Sequence, residues 1–182
     1  MLVEHWQALH PDLSATVLDL WTTELPKLQG SVLAARTEVE AGRTPCGDAG
    51  TAWSRLQDLA AGLLSADRLL ISAPMWNFGL PYRLKHYIDC VTQPTLTYRG
   101  SPAAGFEGLI PARPAALILT RGGSYPAGSE REPFDFQSRY LRTWLAFLGY
   151  RPVTTILVDS TTLDEESIRA GEAQVQELAS RF

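Results

Sequence analysis

Apolar residues along this chain fall into two alternating rhythms. Leu2, Trp6 and Leu9 stand at helical spacing. The same period returns in Trp53, Leu56, Ala60, Leu63 and Leu64, in Leu80, Leu84, Tyr87, Ile88 and Val91, and in Ile168, Val175, Leu178 and Phe182. Between these stripes lie short runs of another kind. Residues 14–20 (SATVLDL) are rich in β-formers, 68–73 and 115–120 are mainly apolar, and 153–158 close the series. Uninterrupted apolar runs of this length suit strands covered on both faces. Residues 26–46 are irregular, with a helix expected over 32–40 and a loop over 42–47. The stretch 93–114, rich in Gly and Pro, is expected to make a short hairpin excursion. Over 134–149 there are two stripes: Leu141, Trp144, Leu145 and Leu148 form one, and Tyr140, Trp144 and Phe147 the other. One side can serve a sheet and the rest a partner subunit. Thr162 and Glu165 have capping-box spacing ahead of the last helix.

Strand and helix signals that alternate in this way indicate an α/β protein, a doubly wound parallel sheet with helices on both faces in three layers, α/β/α. Such sheets bind ligands beyond the carboxyl ends of their strands. Two loops occupy that place, 74–79 and 121–129. The first spends Met75, Trp76, Asn77 and Phe78 where a plain connection would use small polar residues. Two flat apolar faces with an amide between them suit a planar heteroaromatic ring with carbonyl and ring-nitrogen edges. The unpaired N–H groups that open the following helix add donors for those edges. In the second loop, Gly122 and Gly123 let backbone approach such a ring, because no Cβ intervenes. Arg121 is expected to add positive charge near the ring's carbonyl edge. The plain alternative, aromatic caps on a core and an ordinary diglycine turn, stays open on these residues alone.

Composition narrows the partners. With 182 residues and 45% hydrophobic content, the chain suits one compact domain, 1–182, with a substantial core. A net charge of -4 without a basic stripe gives no reason to expect nucleic acid. No apolar run approaches the ~20 residues of a membrane span, and MLVEHWQALH lacks the layout of a secretion signal. The expected compartment is the cytoplasm. Cys46 and Cys90 lie far apart with no ligand spacing, so neither a disulfide frame nor a zinc site is indicated, and Cys90 reads as a small buried hydrophobe. A hydrolase is disfavoured: Ser72 and Ser124 lie outside any G-x-S-x-G, and none of His5, His10 and His86 follows Ser124.

PMWNFGLPYRLKHYID, followed after an interval by LTRGGSYPAGS, resembles the FMN-dependent NADH:quinone oxidoreductases and azoreductases of the flavodoxin-like superfamily. Leu84-Lys85 with Tyr87-Ile88-Asp89, then Leu96-Thr97-Tyr98, Glu107-Gly108-Leu109 and Thr120 to Gly123 fall in the family's order, and WLAFLGY looks like the segment after its second loop. The resemblance implies a flavodoxin-like fold and FMN as cofactor. It implies two-electron transfer from NADH or NADPH to quinones or azo compounds by a ping-pong sequence. Met75, Trp76, Asn77 and Phe78 would pack and hydrogen-bond the isoalloxazine ring, and Thr120, Arg121, Gly122 and Gly123 would meet its pyrimidine end. Tyr125 would face substrate. No protein acid or base need act, since the flavin carries the hydride chemistry. The resemblance also implies a homodimer whose subunits complete each other's sites.

One departure stands out. The family opens with a strand and a serine-rich loop that binds the FMN phosphate at a helix N-terminus, whereas MLVEHWQALH matches the end of the helix that follows. The first strand and phosphate loop are thus missing, and Thr22, Thr23 and Ser31 offer hydroxyls without a Gly/Ser turn. The expectation is a start upstream of Met1. Without that strand, 14–20 and 68–73 would each show an unpaired inner edge. The alternatives are a truncated, non-catalytic flavodoxin-like protein, or a one-electron flavin carrier, which would ordinarily be far more acidic.

Overall fold

The computed structural model describes residues 2–161 and 165–182. Helices α1 (Leu2–Leu9), α2 (Ser31–Glu40) and α3 (Gly47–Ser65) precede strand β1 (Leu69–Pro74) and helix α4 (Tyr82–Val91). A hairpin of β2 (Tyr98–Ser101) and β3 (Gly105–Gly108) leads to β4 (Ala115–Thr120), α5 (Phe136–Leu148), β5 (Val153–Val158) and α6 (Glu165–Arg181). Strands β1, β4 and β5 form one parallel sheet in that order, with Leu69 opposite Ala115 and Ala115 opposite Val153. Strand β4 lies in the middle, which is why AALIL is buried throughout. Alternation then divides its side chains between two cores. Leu117 and Leu119 join Leu56, Leu63, Leu84, Ile88, Leu141 and Leu145 beneath α3, α4 and α5. Ala116 joins Ile156, Val158 and Leu178 beneath α6 on the other face. Each fully buried leucine contributes about 1.5–3 kcal/mol relative to exposure, so the larger core dominates. This is the expected three-layer arrangement.

The helices follow their stripes. Leu84, Tyr87, Ile88 and Val91 are the buried face of α4, and Leu141, Trp144, Leu145 and Leu148 that of α5. The second α5 stripe runs from the core to the surface: Trp144 is buried, Phe147 is half-buried against the core and against Tyr98 and Phe106 of the hairpin, and Tyr140 is exposed. Cys90 is fully buried, and burial with the adjacent Asp89 carboxylate pushes its thiol up to about 11, as expected of an inert core cysteine. The expected Thr162–Glu165 capping box lies outside the described residues.

One expectation fails. Residues 14–19 take no regular structure and join no sheet; Val17 and Leu18 are exposed. A β-rich composition makes a strand only where a neighbour supplies hydrogen-bond partners, and no described strand lies along the edge of β1 opposite β4. The chain beyond is instead tied to α4. Arg83 donates to the carbonyls of Leu20 and Thr23, and His86 pairs with that of Pro26 at 2.7 Å.

Helix α5 ends at Gly149, whose φ of 113° is left-handed and whose N–H closes the last turn onto Leu145 and Ala146. A Cβ there would collide with the Ile110 carbonyl, where the chain passes from the hairpin toward β4. Gly149→Ala is expected to cost roughly 2–3 kcal/mol through strain and displacement. A thermal midpoint unchanged from the parent would show that this junction yields freely.

Candidate functional site

Strands β1 and β4 run parallel and adjacent, so the loops at their carboxyl ends emerge side by side. Met75 N–H donates to the Thr120 carbonyl at 2.8 Å and carries the pairing one residue past β1, joining the two loops at their root.

The first loop is a two-residue turn. Trp76 and Gly79 exchange both backbone hydrogen bonds, at 3.1 and 2.9 Å, and between them Asn77 (φ 47°) and Phe78 (φ 68°) are left-handed. Both central residues at positive φ match the primed turns that close tight hairpins. Asn tolerates that region, whereas a bulky Phe there is strained by about 1–3 kcal/mol. The strain is held by Phe136, whose N–H donates to the Phe78 carbonyl at 3.1 Å. The consequence is exposure: Trp76, Asn77 and Phe78 all point away from the core, with Trp76 44% and Phe78 48% accessible. They are not core caps. Around them stand aromatic residues that the sequence reading did not single out for the site. Trp21 and Tyr82 flank Trp76, with ring centroids 5.5 and 6.4 Å away, and Phe134 lies 5.5 Å from Phe78. Exposed aromatics in such number mark a contact surface. Their signal in the sequence was position alone, since each flanks a loop or a helix start.

The second loop is fixed by charge. Arg121, expected to add positive charge near a ring's carbonyl edge, stands at the root of this loop. Its guanidinium is turned inward and buried, with Nε 2.6 Å from Asp159 Oδ1 and Nη1 2.8 Å from Asp135 Oδ2. Burial pulls the guanidinium pKa down, but the hydrogen bonds it donates to Asp159 and then Asp135 more than offset this and hold it above its usual value. Burial likewise pushes the Asp135 carboxyl up. The Ser138 hydroxyl and N–H, followed by Arg121, outweigh that and hold it below the usual range. An arginine at the end of a middle strand satisfies two carboxylates instead of facing solvent, because an unpaired buried charge is far costlier.

With Arg121 turned in, Gly122 is exposed and Gly123 and the Tyr125 ring are half-buried along the start of this loop. Tyr125 stands edge-on to Phe78, with centroids 6.5 Å apart, and its ring lies 5.3 Å from the Arg121 guanidinium carbon. It bridges the two loops. A Cβ on Gly123 would lie 3.3 Å from the Tyr125 hydroxyl, so the glycine keeps a narrow space that a larger residue would fill.

The two loops form an open shelf. A hollow of about 410 Å³ lies elsewhere, lined by Leu28, Val32, Arg36, Tyr98, Phe106 and Phe147 among others, and takes no residue from either loop. Of the hydroxyls named as substitutes for a phosphate loop, those of Thr22 and Thr23 are engaged locally. Thr22 and Thr23 donate to the Asp19 carbonyl at 3.3 and 2.6 Å, and Ser31 opens α2 behind Gly30. The shelf therefore suits a flat ring. Its donor set, an exposed amide and backbone without Cβ, matches a ring edge that accepts and donates, while the described residues of the two loops offer no comparable nest for a phosphate.

No helix among the described residues is long and apolar enough to cross a membrane, and no group of three or more His, Cys, Asp or Glu is placed to hold a metal.

Known proteins share this architecture. A family model for the flavodoxin-like fold matches residues 1–182. The azoreductase of Bacillus anthracis superposes with a TM-score of 0.88 at 23% identity, over 100% of this chain and 88% of that one. Among curated relatives, a protein of Pseudomonas fluorescens named FMN-dependent NADH:quinone oxidoreductase 3 is 36% identical over 187 residues, covering 99% of this chain and 86% of its own. One of Desulfotalea psychrophila, named FMN-dependent NADH:quinone oxidoreductase, is 37% identical over 150 residues, covering 82% and 70%. The order of motifs, the parallel β1-β4-β5 sheet with its two carboxyl-end loops, and these likenesses agree, and the chain belongs to the flavodoxin-like family that includes the FMN-dependent NADH:quinone oxidoreductases.

Proposed function

We propose that this chain is an FMN-dependent oxidoreductase that passes two electrons from NADH or NADPH to quinones or azo compounds by a ping-pong sequence. It works as one flavodoxin-like domain, 1–182, in the cytoplasm. The observation that carries the reading is the shelf: Trp76 and Phe78 expose flat faces beside Gly122 and Gly123, at the carboxyl ends of neighbouring strands. When bound, FMN supplies the hydride and electron chemistry. The chain's own residues bind and orient. Met75 and the Trp76 and Phe78 faces pack the ring, and Asn77 offers an amide to its edge. Thr120, the backbone at Arg121, Gly122 and Gly123 meet the pyrimidine end. Tyr125, set between the loops, faces the substrate position. The open shelf and the exposed aromatics around it support a homodimer, because a second copy would exclude water from a site that one copy leaves uncovered.

The test is spectroscopic and kinetic. Purified protein titrated with FMN is expected to quench flavin fluorescence at a fixed stoichiometry. NADH oxidation with varied quinone is expected to give parallel double-reciprocal lines. Intersecting lines would remove the single shared site, and no quenching at any FMN concentration would remove the cofactor.

A further inference from the structure

Two adjacent glycines give a loop the greatest backbone freedom available. A loop that must meet a ligand edge with its backbone gains affinity if that freedom is removed beforehand. Asp159, the residue after β5, is placed to remove it. Its Oδ1 accepts from Arg121 Nε at 2.6 Å and its Oδ2 from the Ser124 hydroxyl at 2.7 Å. Arg121 immediately precedes Gly122 and Ser124 immediately follows Gly123, so one carboxylate holds both ends of the diglycine segment. The Arg121 end is fastened again and independently. Its N–H donates to the Val158 carbonyl at 3.0 Å, its carbonyl accepts from the Thr161 N–H and hydroxyl at 3.2 Å each, and Asp135 holds the far side of the guanidinium. The Ser124 end leans on Asp159. The carboxylate itself is only partly covered, with 27% of its side chain accessible, so it is held by these two partners more than by packing.

We propose that Asp159 is a positioning residue, which acts through Ser124 and Arg121 to hold Gly122 and Gly123 in the form that receives the cofactor's ring edge. The proposal rests on the FMN reading above for its functional consequence, but the ordering of the loop is a property of the chain alone. Both carboxylate oxygens of Asp159 are already engaged, one by Arg121 and one by Ser124. Its partners lie far away in sequence and meet it because β4 and β5 are neighbours in the sheet.

Two variants separate this role from a general structural one. Ser124→Ala cuts the loop tie and leaves the Arg121 ion pairs intact, and Asp159→Ala removes the carboxylate. In the FMN-free protein, amide exchange at residues 122–124 is expected to quicken about tenfold in Ser124→Ala while β4 keeps its protection. In FMN titrations each variant is expected to bind about tenfold more weakly, the loss of one hydrogen bond's worth of ordering. The double variant should be no weaker than the weaker single one, because both cut the same tie. Ser124→Thr, which keeps the hydroxyl, should restore both readings. The proposal is overturned if loop exchange in Ser124→Ala matches the parent, if exchange rises evenly across β4 and the loop, or if the two losses in affinity simply add. Should the parent itself bind no FMN, the cofactor reading falls, and the exchange measurement alone still decides whether Asp159 orders the loop.

Discussion

Arg121→Met is expected to lose about 3–5 kcal/mol of stability, the range for removing one partner of a buried ion pair. In a chain of this size that lowers the thermal midpoint by roughly 6–20 °C. The methionine fills most of the space, so packing changes little. What changes is that Asp135, almost fully buried, and Asp159 remain near each other with no cation between them. The pH dependence tests this account. In the parent, the Asp135 carboxyl is held below its ordinary value, so its contribution is complete above the unfolded pKa of about 3.9 and is lost as pH falls through the folded value. In the variant the Ser138 hydroxyl and N–H still hold the Asp135 carboxyl down, but the Arg121 contribution is gone and the Asp159 carboxylate faces it unscreened, so the group moves upward from its parent value and protonation relieves the unpaired charge. The stability gap between parent and variant is therefore expected to narrow as pH falls from 7 toward 4, read as thermal midpoints at each pH. A gap of equal size at both ends would mean that shape, not charge, holds this corner.

The Arg121 cluster also shows where a sequence stops being legible. Residues 115–120 announced themselves as a strand because a strand covered on both faces needs nearly unbroken apolar side chains, and 153–158, where Thr154 and Thr155 stand among Val, Ile and Leu, did so by β-forming residues; both appear with those bounds. The two loops could be placed because parallel sheets keep their ligand ends together. The direction of the Arg121 side chain could not. Whether an arginine faces a ligand or a buried carboxylate depends on Asp135 and Asp159, which only the sheet order and the start of α5 bring near it. An aspartate directly after a strand at the ligand end of such a sheet was the available clue. Residues 14–20 mislead for a related reason: β-preference reports a fit to a pleated neighbour, and the described chain supplies none beside it. Trp21 escaped notice because a lone tryptophan in an irregular stretch has no period to betray its side; its contact with Trp76 is tertiary.

Gly123→Val separates the shelf from the fold. The backbone at Gly123 is not left-handed, so a β-branched residue meets no intrinsic strain there, and the three nearest described neighbours of an added Cβ are atoms of the flexible Tyr125 side chain, at 3.3–3.5 Å. That ring is half-buried and can swing outward. Stability is therefore expected to change by less than about 1 kcal/mol. FMN binding should respond quite differently. Two methyl groups would occupy the space through which the loop's N–H groups reach a ring edge. Losing two such hydrogen bonds at roughly 1.5 kcal/mol each weakens binding about hundredfold. Gly123→Ala, with one added carbon, is expected to fall between, near tenfold. Fluorescence titration gives the affinities and thermal melting the stability, and it is the contrast between them that matters. A large loss of both would mean that Tyr125 is bolted in place and the glycine serves packing. An unchanged FMN affinity with valine in place would take the diglycine loop out of the site and leave the Trp76–Phe78 turn to hold the ring from one side only.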